Sequence, residues 1–160
     1  VLVPHVRKNI DIPLIAAGGI GTGSGMLAAF ALGAEGVQIG TRFALTQESS
    51  ACEEFKNLCI GLQEGDTMLS LKKVVPTRLV KNEFFRRVEE AENRGASAEE
   101  LKEIVGFGKA KKGIFEGYLD EGELEIGQVA YLIRSIPTVQ EVFDSLITEY
   151  RGQLGHLVEM

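Results

Sequence analysis

Cysteine and histidine are scarce in this 160-residue chain, with two of each, and the chemistry they usually carry is correspondingly thin. On a helix Cys52 and Cys59 would share one face two turns apart, about 10 Å along the axis, which is too far for a disulfide. No CxxC pair and no Cys/His cluster at metal-ligand spacing occurs, so the sequence offers no metal site, and so little cysteine suits a reducing cytoplasm. His5 and His156 stand near opposite ends without partners in sequence and read as surface residues. Basic residues are outnumbered, 17 against 23 acidic, for a formal net charge of -6. Nucleic acid is therefore disfavoured as a partner, because phosphate backbones are bound through clustered Lys and Arg. The short runs Lys72-Lys73 and Lys109 to Lys112 read as solvated surface. Long apolar runs are missing as well. Gly, Arg or Glu interrupts each one before the roughly 20 residues a membrane span needs, and no segment resembles a signal peptide. Membrane insertion and secretion are both disfavoured on these grounds.

What is present is globular. An apolar fraction of 44% with 25% charged residues can bury a real core, and the length suits one domain. The chain opens on Val1 inside an apolar-patterned segment, which leads us to expect a fragment or a processed piece.

The opening VLVPHVRKN reads as the end of a helix. Residues 12–17 (IPLIAA) form a short continuous apolar run stopped by Gly18-Gly19, the pattern of a strand buried on both faces. The loop GIGTGSG leads into a helix from about Ser24 to Leu32, with Ala28, Ala29 and Leu32 inward and Gly33 ending it in a left-handed conformation. A second buried strand, residues 36–40 (GVQIG), follows. Strand, Gly-rich turn, helix and strand have the lengths of a parallel crossover, the unit of an α/β fold that binds ligands at the carboxyl ends of its strands.

Beyond TRFALTQES the pattern turns helical. Ser50 and Glu53 have the spacing of a capping box, and Phe55, Leu58, Cys59 and Leu62 form an apolar stripe. MLSLKKVV alternates like a strand ending at Pro76. Asn82 is placed to cap a helix over residues 83–94, with Arg86/Glu90 and Glu90/Arg94 as i,i+4 pairs. Ser97 and Glu100 suggest another capping box, and Gly106 a stop. The stretch GKAKKGIFEGYLDEGELEIGQ reads as a Gly-punctuated connection with one helical turn. Thr138 with Glu141 opens a final amphipathic helix, marked by Val139, Val142, Phe143, Leu146, Ile147 and Tyr150.

Two places carry chemistry: residues 18–23 and 36–43. At each a strand ends in Gly, which leaves backbone N–H groups unobstructed, and Thr41 adds a hydroxyl donor. The helix start after the first turn would contribute its unpaired N–H groups and the positive end of its dipole. Together these describe an anion pocket shared between neighbouring loops, of the kind that holds phosphate after the last two strands of an eight-stranded α/β barrel. Arg42 stands directly after the strand, where it either meets the phosphate or pairs with a carboxylate.

The stretch from IPLIAAGGIGTGSG through ALGAEGVQIGTRFALTQES, together with the tail EGELEIGQVAYLIRSI, resembles the nitronate monooxygenase family, formerly called 2-nitropropane dioxygenases, which also contains the type II enoyl-acyl-carrier-protein reductases. The resemblance runs through nearly the whole chain. It implies an α/β fold: the C-terminal portion of a (β/α)8 TIM barrel, with residues 13–17 as the seventh strand and 37–40 as the eighth, followed by a mostly helical C-terminal extension. Residues 1–65 would end the barrel and residues 66–160 would be the extension, packed on it in the same domain.

The resemblance further implies FMN as cofactor, its phosphate held by Gly18, Gly19, Gln38, Gly40 and Thr41. The histidine that serves the family's chemistry matches no residue here, since His5 precedes the seventh strand, so no catalytic residue is assigned. A full barrel takes about 250 residues, so the chain would need the missing N-terminal barrel half or contacts with further copies of itself. Three readings stay open: an FMN-dependent nitronate monooxygenase, a type II enoyl reductase using NAD(P)H on an acyl thioester, and a non-catalytic phosphate-binding or assembly module.

Overall fold

The structure is a computed structural model and describes residues 1–159. Two compact units divide the chain: residues 1–48 together with the described residues from Pro137 onward, and residues 49–136. The boundary drawn from the sequence at residue 65 falls inside the second unit.

The first unit contains α1 (Leu2–Arg7), β1 (Ile15–Ala17), α2 (Gly23–Ala31), β2 (Gly36–Gln38), the single turn α3 (Thr41–Ala44) and the last helix, α8 (Val139–Val158). The strands β1 and β2 pair in parallel, with Ala16 opposite Val37 and Ala17 opposite Gln38, so α2 is the crossover that the sequence suggests. Its start is set by Thr22, whose hydroxyl accepts the Gly25 N–H at 3.0 Å. Its end is a Schellman turn: Gly33, at φ 102°, donates to the Phe30 carbonyl, and Ala34 donates to that of Ala29. A left-handed residue is needed there, and glycine takes that conformation without a Cβ penalty.

Ala16, Ala29 and Ala34 form the buried contact between sheet and helix, with Val3, Ile20, Phe30 and Val37 packed around them. The strands are shorter and less buried than the sequence suggests. Helices cover only one face of the pair. On the other face Ile15 stays 54% exposed, and Ala17 and Gln38 are exposed beside it. Of the three residues expected inward on α2, only Ala29 is buried, whereas Ala28 is exposed and Leu32 has become the exposed C-cap. The helix starts and ends one residue earlier than expected, and its buried residues are Gly23 and Ala29.

The second unit holds α4 (Glu53–Gly61), the hairpin strands β3 (Thr67–Ser70) and β4 (Thr77–Val80), helices α5 (Glu83–Asn93), α6 (Ala98–Val105) and α7 (Lys109–Glu116), and a 3-10 turn over Gln128–Leu132. Its core is built on Leu79, Phe84, Phe85, Val88 and Leu101. Asn82 caps α5 by accepting the Phe85 N–H at 2.9 Å, while its amide donates to the Leu119 and Gly122 carbonyls at 2.6 and 2.8 Å. The Ser97–Glu100 capping box forms.

The Ser50–Glu53 box does not form, because the chain turns helical only after Cys52, which caps α4 without a side-chain bond. β4 lies beyond Pro76 and pairs antiparallel with β3, a strand the pattern did not reveal. Of the expected i,i+4 ion pairs neither forms: Arg86 reaches Glu83 at 2.9 Å and Arg94 reaches Glu100 at 3.6 Å. The Gly-punctuated connection contains the eight-residue α7, more helix than the single turn expected. A Cβ on Gly122 would overlap the backbone of its Gly113, and one on Gly113 would overlap the Leu124 side chain.

A candidate anion-binding corner

Strand β1 ends at Ala17 and the chain turns through Gly18 and Gly19, at φ 94° and 71°. Strand β2 ends at Gln38, and the chain passes through Ile39 and Gly40 into α3, whose first residue is Thr41. Since Ala17 and Gln38 are register partners, both turns leave the same carboxyl edge from strands about 4.8 Å apart. The five residues singled out from the sequence, Gly18, Gly19, Gln38, Gly40 and Thr41, are thus brought to one end of the parallel pair. A Cβ built on Gly18, Gly19 or Gly40 would meet nothing within 4 Å. These glycines are therefore not required by close packing within the chain; their missing side chains leave open space over exposed backbone.

The two corners differ in one respect. Gly18 and Gly19 need glycine for their backbone angles. Gly40 lies at φ -90°, which any residue adopts, so its open space is independent of its conformation.

The amino end of α2 does not join this corner. The Glu149 carboxylate on α8 accepts the Gly23 N–H at 3.0 Å, the Ser24 N–H at 3.4 Å and the Ser24 hydroxyl at 2.7 Å. With Thr22 holding the Gly25 N–H, the first donors of α2 are committed within the protein. The anion pocket expected from the sequence therefore loses its helix contribution. The Ser24 hydroxyl, and then the two backbone N–H groups, hold the Glu149 carboxyl below its usual pKa against an opposing desolvation. Its negative charge also disfavours a second anion at that helix end.

Gly23 has a packing role that its place in a Gly-rich loop concealed. A Cβ there would overlap the backbone of Leu146 and Tyr150 on α8, so glycine permits the close approach of α2 and α8. Phe30 and Tyr150 complete that contact edge-to-face, their ring centroids 5.8 Å apart. Beside β2, Phe43 of α3 meets Phe143 of α8 at 5.2 Å, lining an apolar cleft of about 170 Å³ with Met26, Val37 and Ile147. That cleft, lined by apolar side chains, offers little to a charged group.

His5 lies exposed on α1, ahead of β1. Among the described residues no three His, Cys, Asp or Glu side chains gather as a metal site. The sequence could have signalled neither the Glu149 cap nor the role of Gly23, because both depend on a contact between residues more than a hundred positions apart.

The family model described as Nitronate monooxygenase matches residues 1–149. A Rhodococcus jostii protein named as an octahydro-1H-indene-4-carboxyl-CoA dehydrogenase is 33% identical, covering 92% of this chain and 52% of its own length. A probable nitronate monooxygenase of Staphylococcus saprophyticus is 41% identical over 92 residues, or 56% of this chain and 25% of that protein. Among solved structures, FabK from Thermotoga maritima superposes with a TM-score of 0.91 at 35% identity, covering 99% of this chain and 50% of that one. A nitroalkane oxidase from Streptomyces ansochromogenes superposes with a TM-score of 0.80 at 27% identity, covering 98% of this chain and 44% of that one. The chain thus spans about half the length of these structures. Its fold is α/β, the C-terminal portion of a (β/α)8 barrel with a mostly helical extension. With the match running from the first residue through the Glu149 cap, this chain belongs to the nitronate monooxygenase family.

Proposed function

We propose that this chain supplies the phosphate-holding end of an FMN-dependent oxidoreductase of the nitronate monooxygenase type. The observation that carries the reading is the pair of open glycine corners leaving adjacent parallel strands at the same edge. That cradle, which side chains would fill, fits a phosphate. Gly18, Gly19 and Gly40 offer backbone N–H groups, Thr41 a hydroxyl, and Gln38 an amide at the end of β2. Each charge-assisted bond to a phosphate oxygen contributes about 1.5–3 kcal/mol, so three or four would anchor the cofactor. When bound, FMN supplies the electron transfer; the chain's part is to fix its headgroup. The small-molecule substrate in this reading is a nitronate.

A second reading, an enoyl reductase acting on an acyl thioester with NAD(P)H, is favoured by the Rhodococcus relative, whose name describes a carboxyl-CoA substrate. Both readings use the same corner. In either, the exposed face of Ile15, Ala17 and Gln38 would be covered by the remaining barrel strands or by a further copy of the chain. We place the protein in the cytoplasm on its low cysteine content, and no helix among the described residues is long and apolar enough to cross a membrane.

The test is flavin retention in the complete protein carrying Gly40→Val. Since space and backbone angle both tolerate a side chain at this position, the variant should fold and lose FMN. Full occupancy with FMN would overturn the reading. Gly19→Val is a poorer probe because φ 71° strains any L-residue. Nitronate-dependent oxygen uptake against NADH-dependent reduction of a crotonyl thioester then separates the two activities.

A further inference from the structure

Arg42 is the second residue of α3, one position beyond Thr41. Its guanidinium carries five N–H donors, yet Nη1 is buried without any hydrogen-bond partner. None of the ion pairs among the described residues involves it. Four acidic side chains of its own unit are engaged elsewhere. Glu35 pairs with Arg7 at 2.8 Å, Glu48 accepts the Val139 N–H at 2.9 Å, Glu141 completes the box with Thr138 and Glu149 closes α2. Burial without a compensating negative charge disfavours the charged form and pushes the Arg42 pKa down. A guanidinium nevertheless keeps its proton at any physiological pH, so the cost of holding this cation is met only when an anion is supplied.

We propose that Arg42 is a direct ligand of the FMN phosphate, its planar fork adding a full positive charge to the neutral donors of the glycine corner. The inference rests on the reading of that corner as the phosphate seat and names a side chain that offsets one of the two negative charges there. Two features point to phosphate as the partner. Arg42 is contiguous with the Gly40–Thr41 turn, and the residue as a whole is only half-buried. Arginine suits such a seat because it can give two parallel N–H bonds to neighbouring phosphate oxygens.

The experiment measures binding of FMN and of riboflavin, which lacks the phosphate, to the complete protein and to Arg42→Met and Arg42→Lys, with the melting temperature of each apoprotein. Loss of one charge-assisted contact should weaken FMN binding about ten- to hundredfold in Arg42→Met. Riboflavin affinity should be unchanged and Arg42→Lys should recover part of the loss. The melting temperature of Arg42→Met apoprotein should equal or exceed that of the unsubstituted protein, because an unpaired buried cation has been removed. Equal weakening of FMN and riboflavin, or no weakening of either, overturns the proposal while leaving the glycine corner intact. A lower apoprotein melting temperature also overturns it, by showing that the guanidinium answers a carboxylate from another segment. If the unsubstituted protein binds FMN no better than riboflavin, the corner itself is not a phosphate seat and both readings fall.

Discussion

Glu149 Oε2 accepts the backbone N–H of Gly23 at 3.0 Å across a separation of 126 positions, so the last helix caps the first helix of the crossover. The Glu149 carboxylate performs the work usually given to a local Ser or Asp cap, and it does so where the Gly-rich loop suggested a ligand's anion would sit. The glycine corner and the α2 terminus, adjacent in sequence, therefore have different tasks.

Replacing Glu149 by Ala should destabilise the protein by about 1 kcal/mol, the usual value of a lost N-terminal cap. Because the folded-state pKa of this carboxyl is lowered, its contribution is fully present above the unfolded value of roughly 4.3 and is lost as pH falls through the folded pKa. The gap in melting temperature between the unsubstituted protein and Glu149→Gln should narrow on acidification through that range. A gap that widens would contradict the cap.

Gly23→Ala should cost about 1–3 kcal/mol as overpacking, since the added methyl overlaps the backbone of Leu146 and Tyr150. Gly152→Ala on α8 meets open space and should raise stability by about 0.5–1 kcal/mol through helix propensity. Chemical denaturation of the two variants checks the opposite signs.

The Cys59 thiol is fully buried, and desolvation pushes its pKa up to about 12. Half-buried Cys52, at the start of α4, should therefore be the one cysteine that a maleimide reagent modifies in the native protein at neutral pH. Cys59 should react only on unfolding. Peptide mapping after brief labelling distinguishes the two sites.

Asn82→Ala removes one cap and two donated hydrogen bonds to the carbonyls of Leu119 and Gly122. With each such bond contributing about 0.5–1.5 kcal/mol, a loss of about 2 kcal/mol or more is expected. Asn82→Asp should retain the cap but lose both donated bonds, and equilibrium unfolding of the pair measures the two parts separately.

Local chemistry was legible mainly at helix ends, where a residue's partner lay within a turn of it. Thr138 with Glu141, Ser97 with Glu100, Asn82 at the head of α5 and Gly33 at the tail of α2 all behave as their spacing indicates. Ser50 with Glu53 has the same spacing and fails, because the helix takes Cys52 as its first flanking residue. The hairpin partner β4 was hidden by its brevity and by Pro76 just ahead of it. The ion pairs of α5 went astray because long exposed side chains choose among several neighbours of nearly equal energy.

The amino-acid order by itself determined the parallel crossover and the positions of its two glycine turns, since strand length, helix length and backbone freedom are properties of consecutive residues. Only the tertiary structure decided that Gly23 makes room for α8, that Glu149 closes α2, and that Arg42 joins no ion pair among the described residues. Such relations depend on which distant groups burial brings within a few ångströms, and sequence separation says nothing about that distance.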